Sequence, residues 1–505
     1  MRLTTKALLL MAAVVVVSCS REEQNSAQEE LLSNELIETP KDPLTPQEIN
    51  REITQTIESS GTFSWSDASD HLLWSAVIHG DNVLTIGFGA KGESYRTLGQ
   101  KDVAGYKQAM ISAASEIENS GKKQTEKILI NENEVLNVFD IKVEKIATIQ
   151  ALRKMEGLRY IEASGYRYVD IERQTASGSG CDTSGATLDS QDYRTIAPNA
   201  RVPWTFDQHN ITQAWDYSTG SGIGIAVIDT GLSSNQPLLN SSGINDGYST
   251  GRTVKKFGVY VDSWWPWSNN TDGPNDKCGH GTSMSAAAAA PRNDDNLPVG
   301  VAYNANLISY RATSDVVLDG YQEQRGVARA LREAGDRSDV KIISMSIGYP
   351  FSIGRIKDAV RYAYGKGKLI FAAGGTSTSF TSFVGVIFPA NMSEAIAVTG
   401  IRDDGYNTCD ICHDGSKIEF TVVMERRNTG KKMPVLGFNS GQNDYVGGSS
   451  VATATTAGIA ALVWAKNPGW SRSQVLNKLR QSADFYPNKD SDHGYGNIDA
   501  LKAVQ

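Results

Sequence analysis

The 505-residue sequence predicts an α/β fold: a mainly parallel sheet with helices on both faces, preceded by a small α+β unit. Two patterns predict it. From about residue 200 onward, short runs rich in Val, Ile, Leu and Ala alternate with longer helical segments, as strands buried on both faces do when helices connect them. Between about 49 and 172, shorter strand and helix patterns end in the order strand, helix, strand, which suits a separate small α+β unit.

At the amino end, Arg2 and Lys6 precede an apolar run over 7–17 that is too short to span a bilayer and ends at Ser18 and Cys19. Val16-Val17-Ser18-Cys19 resembles a bacterial lipobox, which implies that residues 1–19 are a signal peptide and that Cys19 is acylated. Acyl chains hold a protein at a membrane surface without a spanning helix. An ordinary secretory signal with an incidental cysteine is the alternative. Ser20-Arg21-Glu22-Glu23 resembles tags that send some lipoproteins to the outer face of the outer membrane. No later stretch is expected to span a membrane.

Residues 20–48, rich in Glu, Ser, Asn, Gln and Pro, read as a flexible tether. In the α+β unit, 72–88 reads as two strands around a turn at Gly80-Asp81-Asn82. Helices follow at 101–119 and 147–155, with strands at 135–143 and 158–161. Residues 173–199 read as a linker, opened by Ser177-Gly178-Ser179-Gly180. In the 200–505 domain the clearest strands are 223–228, 307–311, 341–346, 369–373 and 395–399. Helices are expected around Ala286 and at 320–334, 353–365, 451–464 and 471–482. Chemistry in such a sheet collects at the carboxyl ends of its strands.

The net charge of −8 and the lack of a basic tract argue against nucleic acid as a partner. An exported chain can keep disulfides. With Cys19 lipidated, Cys181, Cys278, Cys409 and Cys412 remain, and sequence alone leaves their three pairings open.

Three segments carry chemistry. The run 224–229 is an apolar strand that delivers Asp229 at its end, before a turn at Gly231. His280 sits between Gly279 and Gly281 ahead of a stretch of small residues. Ser450 follows Gly447-Gly448-Ser449 and leads into Val451-Ala452-Thr453-Ala454, which places it at a helix amino end with a free N–H. Taken singly, each has a plain structural alternative: a turn aspartate, a loop histidine, a helix-capping serine.

Together, in the order Asp, His, Ser, they resemble the subtilisin family of serine proteases. The resemblance extends over 200–505, through Ile211-Thr212-Gln213-Ala214-Trp215, Val299-Gly300-Val301-Ala302 and Gly494-Tyr495-Gly496-Asn497. It implies a serine endopeptidase in which Ser450 is the nucleophile, His280 the general base and Asp229 its orienting acid. It also implies that Ser346-Ile347-Gly348 and Ala372-Ala373-Gly374 line the substrate cleft and pair with an extended peptide. Residues 137–169 resemble the later part of a subtilisin propeptide, so 49–172 is expected to act as chaperone and inhibitor until cut away.

The pattern departs at Gly375, where the family carries an asparagine whose amide, with the Ser450 N–H, binds the oxyanion. Thr376, Ser377 and Asn391 are the candidate replacements. A weak or inactive peptide-binding lipoprotein is the second reading. Cys409-Asp410-Ile411-Cys412-His413 matches the c-type haem signature, which adds an exported electron carrier as a rival, and zinc as another. We read it as a disulfide pinning a surface hairpin, which leaves Cys181–Cys278 as the other bridge. Trp264-Trp265-Pro266-Trp267 either rims the cleft or anchors its loop. No cofactor is required; structural calcium is common in the family, but no loop is dense enough in acidic residues to place it.

Overall fold

The computed structural model describes residues 42–90, 92–95, 103–168, 180–376 and 385–505; the expected signal, Cys19 and most of the tether lie outside them. Residues 43–505 form one unit built on two main sheets.

The first sheet belongs to the small α+β part. Its elements are α1 (Pro46–Ser60), α2 (Asp70–His79), β1 (Val83–Phe88), α3 (Ala104–Asn119), β2 (Leu129–Asn133), β3 (Val138–Lys142), α4 (Ile146–Arg153) and β4 (Leu158–Glu162). The strands lie in the order β2-β3-β1-β4, with every pair antiparallel. Helix α1 begins inside the expected tether, because Thr45 and Glu48 form a reciprocal capping box ahead of Pro46. The expected strand pair over 72–88 is instead helix α2 followed by β1. Ser69 caps that helix, and Leu72 to Val77 are all buried, so no polar face shows a helical period in the sequence. The turn falls where expected, with Asp81 and Asn82 at positive φ.

The larger part begins with the hairpin β5 (Tyr193–Ile196) and β6 (Ala200–Pro203) and the short α5 (Ile211–Ala214). Then come β7 (Gly224–Asp229), β8 (Val254–Gly258), α6 (His280–Ala289), β9 (Asn306–Arg311), α7 (Tyr321–Asp336), β10 (Ile342–Met345), α8 (Gly354–Gly365) and β11 (Leu369–Ala373). The chain closes with β12 (Ile396–Arg402), β13 (Ile418–Glu425), the hairpin β14 (Met433–Leu436) and β15 (Asn443–Val446), and helices α9 (Gly448–Lys466), α10 (Arg472–Gln481) and α11 (Ala500–Val504). Seven strands form a sheet in the order β13-β12-β11-β10-β7-β9-β8. Each neighbouring pair is parallel, as the two-sided burial predicts. Strand order reverses between β10 and β7, and this opens a crevice at their carboxyl ends.

Helix α9 is long and apolar enough to cross a membrane, contrary to the expectation from sequence, but 89% of its apolar window is buried inside the protein. Its Ala, Thr and Gly residues let it pass between α6 and the sheet; at Gly458 a Cβ would lie 2.6 Å from the Val301 side chain.

The expected linker is ordered where it is described. A disulfide joins Cys181 to Cys278, and the Ala186 N–H donates to Asn443 O at 2.6 Å. The small part packs on α7 and α8 through buried charges. Arg159 donates to both carboxylate oxygens of Asp358, at 3.1 and 2.8 Å, and Asp140 pairs with Arg355. Glu162 accepts the Gly354 N–H at the start of α8, at 2.8 Å; burial pushes its carboxyl up to about 7. Arg159 and Asp358 are 8% and 2% exposed, so removing one partner strands a buried charge. Arg159→Ala in the full chain is expected to lower the unfolding free energy by about 3–5 kcal/mol. Denaturant titration should show part of that loss recovered in Arg159→Ala/Asp358→Ala.

Candidate active site

Strand β7 ends at Asp229, fully buried, and α6 begins at His280; their side chains meet at a 2.8 Å hydrogen bond from His280 Nδ1–H to Asp229 Oδ1. The same oxygen accepts the Thr230 N–H at 2.8 Å. Burial pushes the imidazole pKa down, but the charge and hydrogen bond of Asp229 outweigh it, so the pKa lies above 6.5.

The start of α6 is locked by a residue the sequence reading passed over. Asp276 Oδ1 accepts the Cys278 and Gly279 N–H groups at 2.8 and 2.9 Å, and Oδ2 accepts the Thr282 N–H and hydroxyl at 2.9 and 2.7 Å. Thr230 Oγ1 accepts the Gly281 N–H at 2.8 Å. A capping aspartate ahead of Gly-His-Gly was the available signal. Gly279 is left-handed, at φ +96°, and a Cβ there would lie 2.0 Å from Asp182 O.

Ser450 is the third residue of α9, so its N–H is among those with no intrahelical acceptor, and the helix dipole points at whatever anion sits there. Ser346, just past β10, donates its hydroxyl to Ser450 O at 3.0 Å. His280 and Ser450 line one cavity of about 410 Å³. The Ser450 hydroxyl makes no hydrogen bond to a described residue.

The same cavity is lined by Ser346, Ile347, Gly348, Ala373, Gly375 and Thr376. Two expected residues do not reach it: Ala372 is wholly buried in β11, and the Gly374 backbone pairs with Val398 and Ile387. Gly348 reaches the cavity, but its N–H donates to Val316 O at 3.0 Å and its carbonyl accepts from Leu318 N–H at 3.2 Å. Both groups expected to pair with a peptide are therefore engaged by another stretch of the 200–505 part.

Of the candidates to replace a side chain at Gly375, Thr376 lines the cavity, with its hydroxyl 3.2 Å from Ser449 Oγ. Asn391 does not line it, and Ser377 lies outside the described residues. Cys409 and Cys412 are joined to each other, which leaves neither sulfur for a haem thioether or a zinc ion. The loop of Trp264, Trp265 and Trp267 is anchored on α7: Gln322 and Arg325 donate to the carbonyls of Trp265 and Pro266. None of the three tryptophans lines the cavity. Asp246, Asp294 and Asp295 bring carboxylate oxygens within 4.8 Å of one another, a grouping the sequence hid because Asp246 lies far upstream of the other two.

Residues 220–497 match the subtilase family, Peptidase_S8. The chain is 30% identical over 308 residues to a subtilisin from Bacillus sp. strain TA39, covering 58% of this chain and 68% of that one. It is 27% identical over 403 residues to the M-protease of Shouchella clausii, covering 78% of this chain and 96% of the relative. Among solved structures, fervidolysin from Fervidobacterium pennivorans, a keratinolytic enzyme related to subtilisin, overlays with a TM-score of 0.57. It is 18% identical over 84% of this chain and 61% of its own, a likeness of fold.

Two outcomes follow from the geometry. If His280 is the base, it must be neutral to act, so kcat/KM should rise with pH as the imidazole, which Asp229 holds above its usual range, loses its proton. An acid limb that Asp229→Asn leaves in place would contradict the Asp229 contact. Asp276→Ala removes four hydrogen bonds at a buried helix start and should cost about 2 kcal/mol or more of stability by urea titration.

Proposed function

Because the chain belongs to the subtilase family, whose members are serine peptidases, we propose that it is a serine endopeptidase acting on proteins or peptides through an acyl-enzyme on Ser450. The observation that carries this reading is the convergence of His280, oriented by Asp229, and Ser450, at the start of α9, on one cavity. A bound peptide carbonyl brings the Ser450 hydroxyl within reach of His280 Nε2, which accepts its proton as Oγ attacks. Asp229 holds the Nδ1 proton and stabilises the imidazolium. The Ser450 N–H and the Thr376 hydroxyl receive the oxyanion. His280 then returns the proton to the departing amine, and water reverses the sequence to free the acid.

Residues 49–172 serve as the inhibitory propeptide in this reading. Three things support it: the buried ion pairs to α8, the position of Gly180 and Asp182 in the same cavity as His280, and an M-protease match too long to fit within 200–505. Cleavage within 173–199 would separate the propeptide from the catalytic part, and a cut upstream of Cys181 would leave no disulfide between the two. The lipobox supports export and anchoring through Cys19 in a bacterial cell envelope, at the outer membrane, with the catalytic domain freed from its lipid on processing.

The test compares the chain lacking residues 1–19 with its Ser450→Ala variant. The wild type should cut itself and take up a fluorophosphonate, while the variant does neither. A full-length wild type that the reagent leaves unlabelled would favour the peptide-binding reading instead.

A further inference from the structure

The Cys-x-x-Cys-His segment packs against the backbone of Gly375 and Thr376, and the role argued for it rests on the protease reading above. Gly375 stands at φ +132°, and a Cβ there would lie 2.3 Å from His413 Nδ1 and 2.9 Å from its Cγ. The imidazole thus occupies the space into which a side chain at 375 would project. The residue is fixed from several directions. The His413 backbone N–H donates to Gly375 O at 3.0 Å, the ring Nδ1–H donates to Gly385 O at 3.0 Å, and Thr399 Oγ1 donates to the His413 backbone carbonyl. The residue is only 6% exposed, and burial holds its pKa below the usual value, so the ring is neutral near pH 7.

The cysteines preceding it close the turn. Cys409–Cys412 is a disulfide, and Cys412 pairs antiparallel with Thr376. On the cleft side, Gly375 N–H donates to Ser449 Oγ at 3.2 Å, and Thr376 Oγ1 lies at the same distance from that oxygen. Gly448 makes room for this hydroxyl, since a Cβ there would come within 2.9 Å of it.

We propose that His413 is a positioning residue for the oxyanion hole: it fills the place of a residue-375 side chain and clamps Gly375–Thr376, so that the Thr376 hydroxyl becomes the second donor. A buried histidine that only supports the hairpin would act on stability alone. One that acts through Thr376 lowers turnover, and lowers it through the same group.

The experiment is a double-mutant cycle on the self-processed enzyme, with a chromogenic peptide amide as substrate and thermal melting as the check on folding. Thr376→Val should lower kcat by about 10²-fold, the loss of one oxyanion donor. His413→Ala should lower kcat by about 10–100-fold, the effect of a misplaced group, with KM within about twofold. His413→Asn, which keeps a donor able to reach Gly385 O, should recover most of that loss. Adding Thr376→Val to His413→Ala should cost only a few-fold more, because the hydroxyl is already misplaced. The proposal is overturned if the two losses multiply, or if His413→Ala leaves kcat within twofold of wild type. A wild type that cleaves nothing and takes up no fluorophosphonate sinks the protease reading itself, and this proposal with it.

Discussion

Asp229 ends a strand and His280 begins a helix, and the 2.8 Å hydrogen bond between them fixes how the rest of the site is built. Asp229 is buried and can orient a ring only if that ring arrives at one place. The approach of α6 is therefore over-determined, by Asp276 across its first turn, by Thr230 on Gly281, and by glycines where a Cβ would strike backbone. Helix α9 then has to bring Ser450 to the other side of the same cavity. Its small residues allow this, because they let a nearly all-buried helix pass close to both α6 and the sheet. The geometry of proton transfer thus rests on close packing around two helix starts.

A second set of contacts joins the small part to the larger one. The small α+β part meets α7 and α8 through Arg159, Glu162 and Asp140, groups whose charges are costly to bury unless paired. Such contacts hold one docking geometry firmly and give little net stability, which suits the propeptide role proposed for this part. The Cys181–Cys278 bridge has a related consequence. It ties the segment downstream of the small part to a residue two positions before His280, so a new amino end formed upstream of Cys181 stays beside the catalytic centre.

Much of this was legible in the sequence. The parallel sheet was readable because its strands are apolar on both faces, and Asp229, His280 and Ser450 stood out because glycines mark the places where chain must approach chain. The count of cysteines left their pairing open and one short spacing favoured Cys409–Cys412, which the structure joins, with Cys181–Cys278 as the other bridge. The reading failed where burial erased periodicity. Helix α2 has no polar face and passed for strands, and α9 has almost none and was not recognised as a segment of membrane-crossing length. It also failed where function depends on contacts distant in sequence. Nothing in the residues around Gly375 shows that His413 lies against it, or that Gly348 spends its hydrogen bonds on Val316 and Leu318. A motif resembling haem attachment proved to be a disulfide turn that sets His413 against Gly375.

The account stands most directly on whether this triad cuts its own chain. Amino-terminal sequencing and non-reducing mass analysis of the purified chain lacking residues 1–19 would decide it. The account predicts a new amino end within 173–199, absent from the Ser450→Ala protein. A cut upstream of Cys181 would leave that end disulfide-linked to Cys278. A single full-length species in both preparations would contradict it.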